Sequence, residues 1–118
     1  MREIETNLKW ALKMLSRFGL AEVDALIYIY LEKKGPQKGN ALAYTLNLTK
    51  IQLDLGLKNL IDKGMTIAIG ERSTIYSAVP LEKVLEEFLN AAEEQARTFQ
   101  SSREELLSTW RSIREDER

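Results

Sequence analysis

A capped helix starting at Thr49, a two-strand hairpin directly after it and a heptad-spaced apolar stripe beyond Pro80 together predict a mainly α (α+β) fold. The class is a winged helix-turn-helix with a two-stranded wing and a long C-terminal dimerisation helix. Residues 1–80 are expected to form the winged domain with an extra N-terminal helix. Residues 81–118 are expected to form a coiled-coil-like dimerisation element.

Each element follows from a local pattern. Ile4, Leu8, Ala11, Leu12 and Leu15 recur at helical spacing between charged residues and predict an amphipathic helix over 3–17, ended by Gly19. Val23, Leu26, Ile27, Ile29, Tyr30 and Leu31 cover a wide arc of a second helix over 22–34, which is therefore central; Gly35 and Pro36 stop it. A short third helix fits Lys38 to Leu46, with Ala41, Leu42 and Leu46 inward and Asn47 in a left-handed turn. Thr49 and Gln52 make a T-x-x-Q capping box flanked by the apolar staple Leu48 and Leu53. The fourth helix runs from there to about Lys63, buries Leu53, Leu57, Leu60 and Ile61, and ends at Gly64. Met65 to Ile69 and Thr74 to Val79 read as strands joined by Gly70, Glu71, Arg72 and Ser73, and Pro80 closes the sheet. No helix breaker follows for more than thirty residues.

Helix, short helix, capped helix and hairpin, in that order, can place the capped helix in a DNA major groove and the hairpin tip on the backbone. Thr49, Lys50, Gln52 and Asn59 are then candidate base contacts. Lys38, Lys58 and Arg72 are candidate phosphate contacts, which position the protein without reading sequence. The charge distribution is compatible with this. The net charge is −1, but residues 33–78 carry seven basic against three acidic side chains, whereas 79–118 carry six against ten. Fields act locally, within about 8 Å at physiological salt, so the middle segment is the candidate anion-binding region. An excess of that size also fits ordinary surface scatter.

Composition excludes most catalysis. Cys and His are both absent, which removes disulfides, thiolate nucleophiles, Cys or His zinc sites and imidazole acid–base chemistry. No EF-hand spacing and no phosphate-binding glycine loop is present. The expectation is a non-enzyme with no metal and no cofactor. The hydrophobic fraction of 44% and charged fraction of 30% are those of a folding chain. With no long apolar run and no basic, apolar leader at the N-terminus, a cytoplasmic protein without a membrane partner is expected.

Four short stretches carry a family resemblance: Gly19-Leu20, Gly35-Pro36, the helix exit Leu57-Lys58-x-Leu60-x-x-Lys63-Gly64-Met65, and Tyr76-x-Ala78-Val79-Pro80. In this order and spacing, Phe18 to Leu85 resembles the N-terminal DNA-binding domain of the TrmB-type archaeal transcriptional regulators. The resemblance implies a winged helix and double-stranded DNA as partner. Longer members carry a C-terminal sugar-effector domain, for which 118 residues leave no room, so no ligand is implied. Family wings tend to be rich in Arg and Lys, whereas this wing has only Arg72 and reads Ile75-Tyr76-Ser77.

Two features stand apart from that resemblance. Ile51 and Leu55 fall on the helix face opposite the buried stripe, where they would meet thymine methyl groups or be covered by protein. Gly56, in the same helix, marks a close approach or a tolerated defect. In the C-terminal helix, Leu85, Ala92, Phe99, Leu106 and Ile113 recur every seven residues, and Phe88, Phe99 and Trp110 every eleven. Dimerisation would bury this stripe; the alternative is packing on Trp10 and Met14 of the same chain. The predicted function is thus a DNA-binding transcriptional regulator acting as a homodimer. The alternative is a protein-binding adaptor that uses Ile51 and Leu55.

Overall fold

The computed structural model describes residues 2–116, with side chains from residue 6 onward, so the expected inward side chain of Ile4 lies outside the described part. The elements run α1 (Arg2–Ser16), α2 (Glu22–Lys34), β1 (Gln37–Lys38), α3 (Gly39–Leu46), α4 (Lys50–Asp62), β2 (Thr66–Ile69), β3 (Ile75–Ala78), α5 (Leu81–Ser101) and α6 (Arg103–Asp116). Two compact units divide the chain, Met1–Val84 and Leu85–Arg118.

The first unit is built around α2, whose Ala25, Ile27, Tyr28 and Leu31 are buried. A helix apolar over so wide an arc must be covered on several sides, and α1, α3, α4 and β3 all pack on it. They contribute Leu15, Leu42, Leu53, Leu57 and Leu60 to one core, which Leu20, Met65 and Val84 complete. Ala41 and Leu46 of α3 are half-buried, as their expected inward positions require.

Helix ends fall where the punctuation residues stand. Asn47 adopts φ 54°, ψ 52°, the left-handed conformation that Asn tolerates better than most residues. Gly64 has φ +72°, and the Met65 N–H reaches the Leu60 carbonyl at 2.9 Å. That pairing closes α4 in a Schellman-type turn and drops Met65 into the core.

The wing differs from expectation by one strand. β2 and β3 pair antiparallel as expected, Ile69 opposite Ile75 and Thr66 opposite Ala78. β1 adds a third strand through Gln37 opposite Tyr76 and Lys38 opposite Ile75, giving the order β1-β3-β2. Lys38 is therefore a strand residue and α3 starts at Gly39. Two residues are too few to show an alternating pattern, so the strand leaves no trace in hydrophobic periodicity.

Ile61 is a second correction. It is exposed, not part of the buried stripe of α4. At 3.6 residues per turn it stands about 90° from the centre of the arc set by Leu53, Gly56, Leu57 and Leu60.

In the second unit the expected single helix is interrupted at Ser102. The Ser101 hydroxyl donates to the Thr98 carbonyl at 3.0 Å and the Thr98 hydroxyl to the Glu94 carbonyl at 3.0 Å. Hydroxyls bonded to the preceding turn compete with the backbone ladder, and paired serines are a common site of helix bends. The ladder continues across the junction all the same, with the Ser102 N–H on the Thr98 carbonyl at 3.0 Å and the Leu106 N–H on the Ser102 carbonyl at 2.8 Å. Leu85, Phe88, Ala92 and Phe99 lie on α5, while Leu106, Trp110 and Ile113 lie on α6; all seven are exposed within this unit.

Among the described residues no helix is long and apolar enough to cross a membrane.

Candidate nucleic-acid interface

The site is built around α4. Its N-terminus carries the reciprocal cap expected from sequence: Thr49 Oγ1 accepts from the Gln52 backbone N–H at 3.1 Å, and Gln52 Oε1 accepts from the Thr49 N–H at 2.9 Å. Two of the helix's unpaired N–H groups are satisfied in this way. The cap also limits Gln52. With Oε1 already accepting one hydrogen bond, the cap fixes the direction of the amide, and any base it meets must approach the second lone pair of Oε1 and Nε2 in that orientation.

The inner side of α4 is held on α2 by a close crossing. A Cβ on Gly56 would stand 2.7 Å from Ile27 Cδ1 and 3.1 Å from Asp24 Oδ1, so Gly56 marks a close approach of the two helices, the first of the two readings open from sequence. Beside it, the Asn59 Nδ2 amide donates to Asp24 Oδ2 at 3.2 Å, and the same oxygen accepts from the Ala21 N–H at 3.3 Å. Asp24 is buried and so must be hydrogen-bonded; it caps α2 and anchors α4 at once. Asn59, expected as a candidate contact near the helix start, lies in the third turn, exposed, with one amide N–H engaged in this anchor.

The outer side of α4 presents Lys50, Ile51, Asp54, Leu55, Lys58 and Asp62, all exposed. Lys50, Asp54, Lys58 and Asp62 follow one another at four-residue intervals, which makes them neighbours on the helix surface with alternating sign. Their formal charges cancel. The basic excess of residues 33–78 therefore sits off this face, at Lys33, Lys34, Lys38, Lys63 and Arg72. Alongside the charged row, Ile51 is 72% exposed and Leu55 58%. Arg72 stands in the loop between β2 and β3, whose Gly70 takes φ +97° to turn the chain.

Three features escape the sequence reading. Tyr44 on α3 is 89% exposed, the largest exposure among the large apolar side chains of the described residues. Ile67, Ile69 and Ile75 are also exposed and share one face of the sheet, since Ile69 pairs with Ile75 and residues two apart point the same way. Between α4 and β3, Asp54, Leu57, Lys58, Ile61, Asp62 and Tyr76 line a shallow groove of about 250 Å3. The signal for Tyr44 was present, as a polar-tipped aromatic on the outer arc of a short helix.

The wing is tied to the core behind the site. The Tyr28 hydroxyl donates to the Val79 carbonyl at 2.6 Å and lies 3.2 Å from Glu32 Oε1, which also accepts from the Leu81 N–H at 3.0 Å. Burial, then the Glu32 charge and hydrogen bond, raise the Tyr28 phenol far above its ordinary range.

Comparisons with known proteins agree with this architecture. TrmBL2, an archaeal chromatin protein whose structure shows a novel mode of DNA binding, superposes with a TM-score of 0.67 at 21% identity, over 90% of this chain and 42% of its own. The chain thus spans less than half the length of that relative. The transcriptional regulator Tm0710 from Thermotoga maritima gives 0.59 at 21% identity, over 98% and 92%. A MarR transcriptional regulator from Methanosarcina mazei Go1 gives 0.56 at 18%, over 96% and 82%. At these identities the likeness is one of fold, a winged helix-turn-helix. Among curated proteins, no sequence matches. A family model, the sugar-specific transcriptional regulator TrmB, matches residues 15–82, more than half of the sequence and the span that holds α2, the capped helix and the wing, so the chain belongs to the TrmB family.

Proposed function

We propose that this chain is a DNA-binding transcriptional regulator that acts as a cytoplasmic homodimer, with α4 in the major groove and the β2–β3 hairpin on the backbone. The observation that carries the reading is the two-sidedness of α4. Its inner face is fixed by Gly56, Asp24 and Asn59, while its capped first turns stand in solvent. A helix held this rigidly presents side chains to a groove with little loss of freedom on binding. Membership in a family of transcriptional regulators supports it, as does the DNA binding of TrmBL2.

In this reading Lys38 and Arg72 neutralise phosphates, Lys58 and the Tyr44 hydroxyl add backbone contacts, and Thr49, Lys50 and Gln52 approach base edges. The role is non-catalytic and needs no metal or cofactor. Leu85, Phe88, Ala92, Phe99, Leu106, Trp110 and Ile113 form the dimer contact, because a helix in water cannot bury such a stripe alone. A twofold dimer would present two α4 helices to a palindromic site. Fluorescence anisotropy with a labelled random-sequence duplex at low salt tests the core of the proposal: saturable binding is expected, and its absence at micromolar protein contradicts it.

One observation favours a second reading. The outer face of α4 carries no net charge and two apolar residues, Ile51 and Leu55, which suits a protein surface. In that case the chain is a protein-binding adaptor. Ile51→Asp would then abolish capture of the partner, while Arg72→Ala would leave it unchanged.

A further inference from the structure

We infer that α4 selects its site through thymine, with Ile51 and Leu55 packing against thymine methyl groups. The inference rests on the DNA-binding reading above and deepens it. It follows from what each outward residue of the first two turns can still do. Gln52 has its amide held by the cap, with the carbonyl oxygen on the Thr49 N–H at 2.9 Å, so it can meet a base edge only in that fixed orientation. Lys50 can donate to guanine and Asp54 can accept from cytosine, but the two are surface neighbours of opposite charge, one turn apart, and each competes for the other. Polar readout by this helix is therefore sparse.

Ile51 and Leu55 are the outward side chains with nothing polar to satisfy, and they are among the most exposed apolar residues of the chain. In the major groove the apolar feature of a base edge is the C5-methyl group of thymine. The two residues are four apart, which places them on one face about 6 Å apart along the helix axis. That is close to two base steps of roughly 3.4 Å for a helix lying along the groove. The expected preference is thymine at two positions in each half-site, about two steps apart.

The test starts from 30-base-pair duplexes with a random centre, selected on the full chain. The best binder is then made twice, with thymine and with deoxyuridine, which lacks only the methyl group. Each methyl buried is worth about three- to fourfold in affinity, so loss of the two in one half-site should weaken binding about tenfold, and loss of all four in the dimer's site about a hundredfold. The Ile51→Ala/Leu55→Ala variant, altered only at exposed positions, should bind both duplexes with the same affinity. It serves as the control for any effect of uracil on the duplex itself. Equal affinity of the natural chain for both duplexes overturns the thymine inference and leaves the DNA-binding reading standing. A uracil effect that persists in the double variant also overturns it, because the methyl would then be read elsewhere. Failure to bind any duplex overturns both.

Discussion

The Asn59 side-chain amide donates to the buried Asp24 carboxylate at 3.2 Å, joining the third turn of α4 to the first turn of α2. One turn earlier on α4, Gly56 leaves space too small for a Cβ, 2.7 Å from Ile27 Cδ1. The two contacts set the height and rotation of α4 on its support, and hence which residues face outward.

Gly56→Ala should destabilise the chain. Alanine favours a helix over glycine by about 1 kcal/mol, but overpacking of a dense core typically costs about 1–3 kcal/mol, and the Cδ1 of the fully buried Ile27 would have to shift within that core. A lower denaturant midpoint is expected. A raised midpoint would show that the crossing relaxes freely. Asn59→Ala should cost about 1–3 kcal/mol, because it leaves a buried carboxylate short of a donor.

The cap at Thr49 carries a separate expectation. Thr49→Ala should lower stability by about 0.5–2 kcal/mol and Thr49→Ser by much less, since Ser retains the accepting oxygen. Thermal unfolding of the three proteins decides between a cap and an exposed side chain without structural effect; equal midpoints would show the latter.

Stability should fall at alkaline pH through Tyr28. Its phenol is raised in the folded state, above an ordinary value near 10. The folded chain then holds a proton that the unfolded chain releases, so this contribution is complete below about pH 10 and declines as pH rises further. Tyr28→Phe should cost about 1 kcal/mol at neutral pH and flatten the decline above pH 10. A decline that is identical in both proteins would place its origin elsewhere.

Dimerisation is testable without DNA. Sedimentation equilibrium at tens of micromolar should give a dimer, and Phe99→Asp with Leu106→Asp should give a monomer that unfolds at a similar temperature in the first unit. A monomeric natural chain would remove the assembly role of α5 and α6.

Much of the fold was legible because its signals are local. Thr49 and Gln52 announce their cap by spacing alone, and Gly64 and Asn47 occupy the left-handed positions that suit them. What escaped depends on distant partners. β1 is two residues long and exists only because β3 lies beside it. The bond from the Asn59 amide to Asp24, 35 residues away, is likewise not written in any local pattern. Ser101 and Ser102 gave no stop signal of the glycine or proline kind, yet side-chain bonds to the preceding turn accompany a break there. At the candidate site, charge counting along the chain found a basic segment, but only the helix surface shows that Lys50 and Lys58 alternate with Asp54 and Asp62.

The salt dependence of duplex binding separates an α4 that meets DNA from one that meets protein. Each phosphate neutralised contributes about −0.9 to the log–log slope, so Lys38 and Arg72 in a dimer give about −3.6, and Lys50 and Lys58 would extend it to about −7 if their aspartate neighbours release them. Arg72→Ala should weaken binding to all sequences alike and flatten the slope by roughly 1.8 per dimer. A slope between those limits, flattened by that substitution, is the predicted result. Affinity indifferent to both salt and Arg72 would rule out DNA as the partner and hand the outer face of α4 to a protein.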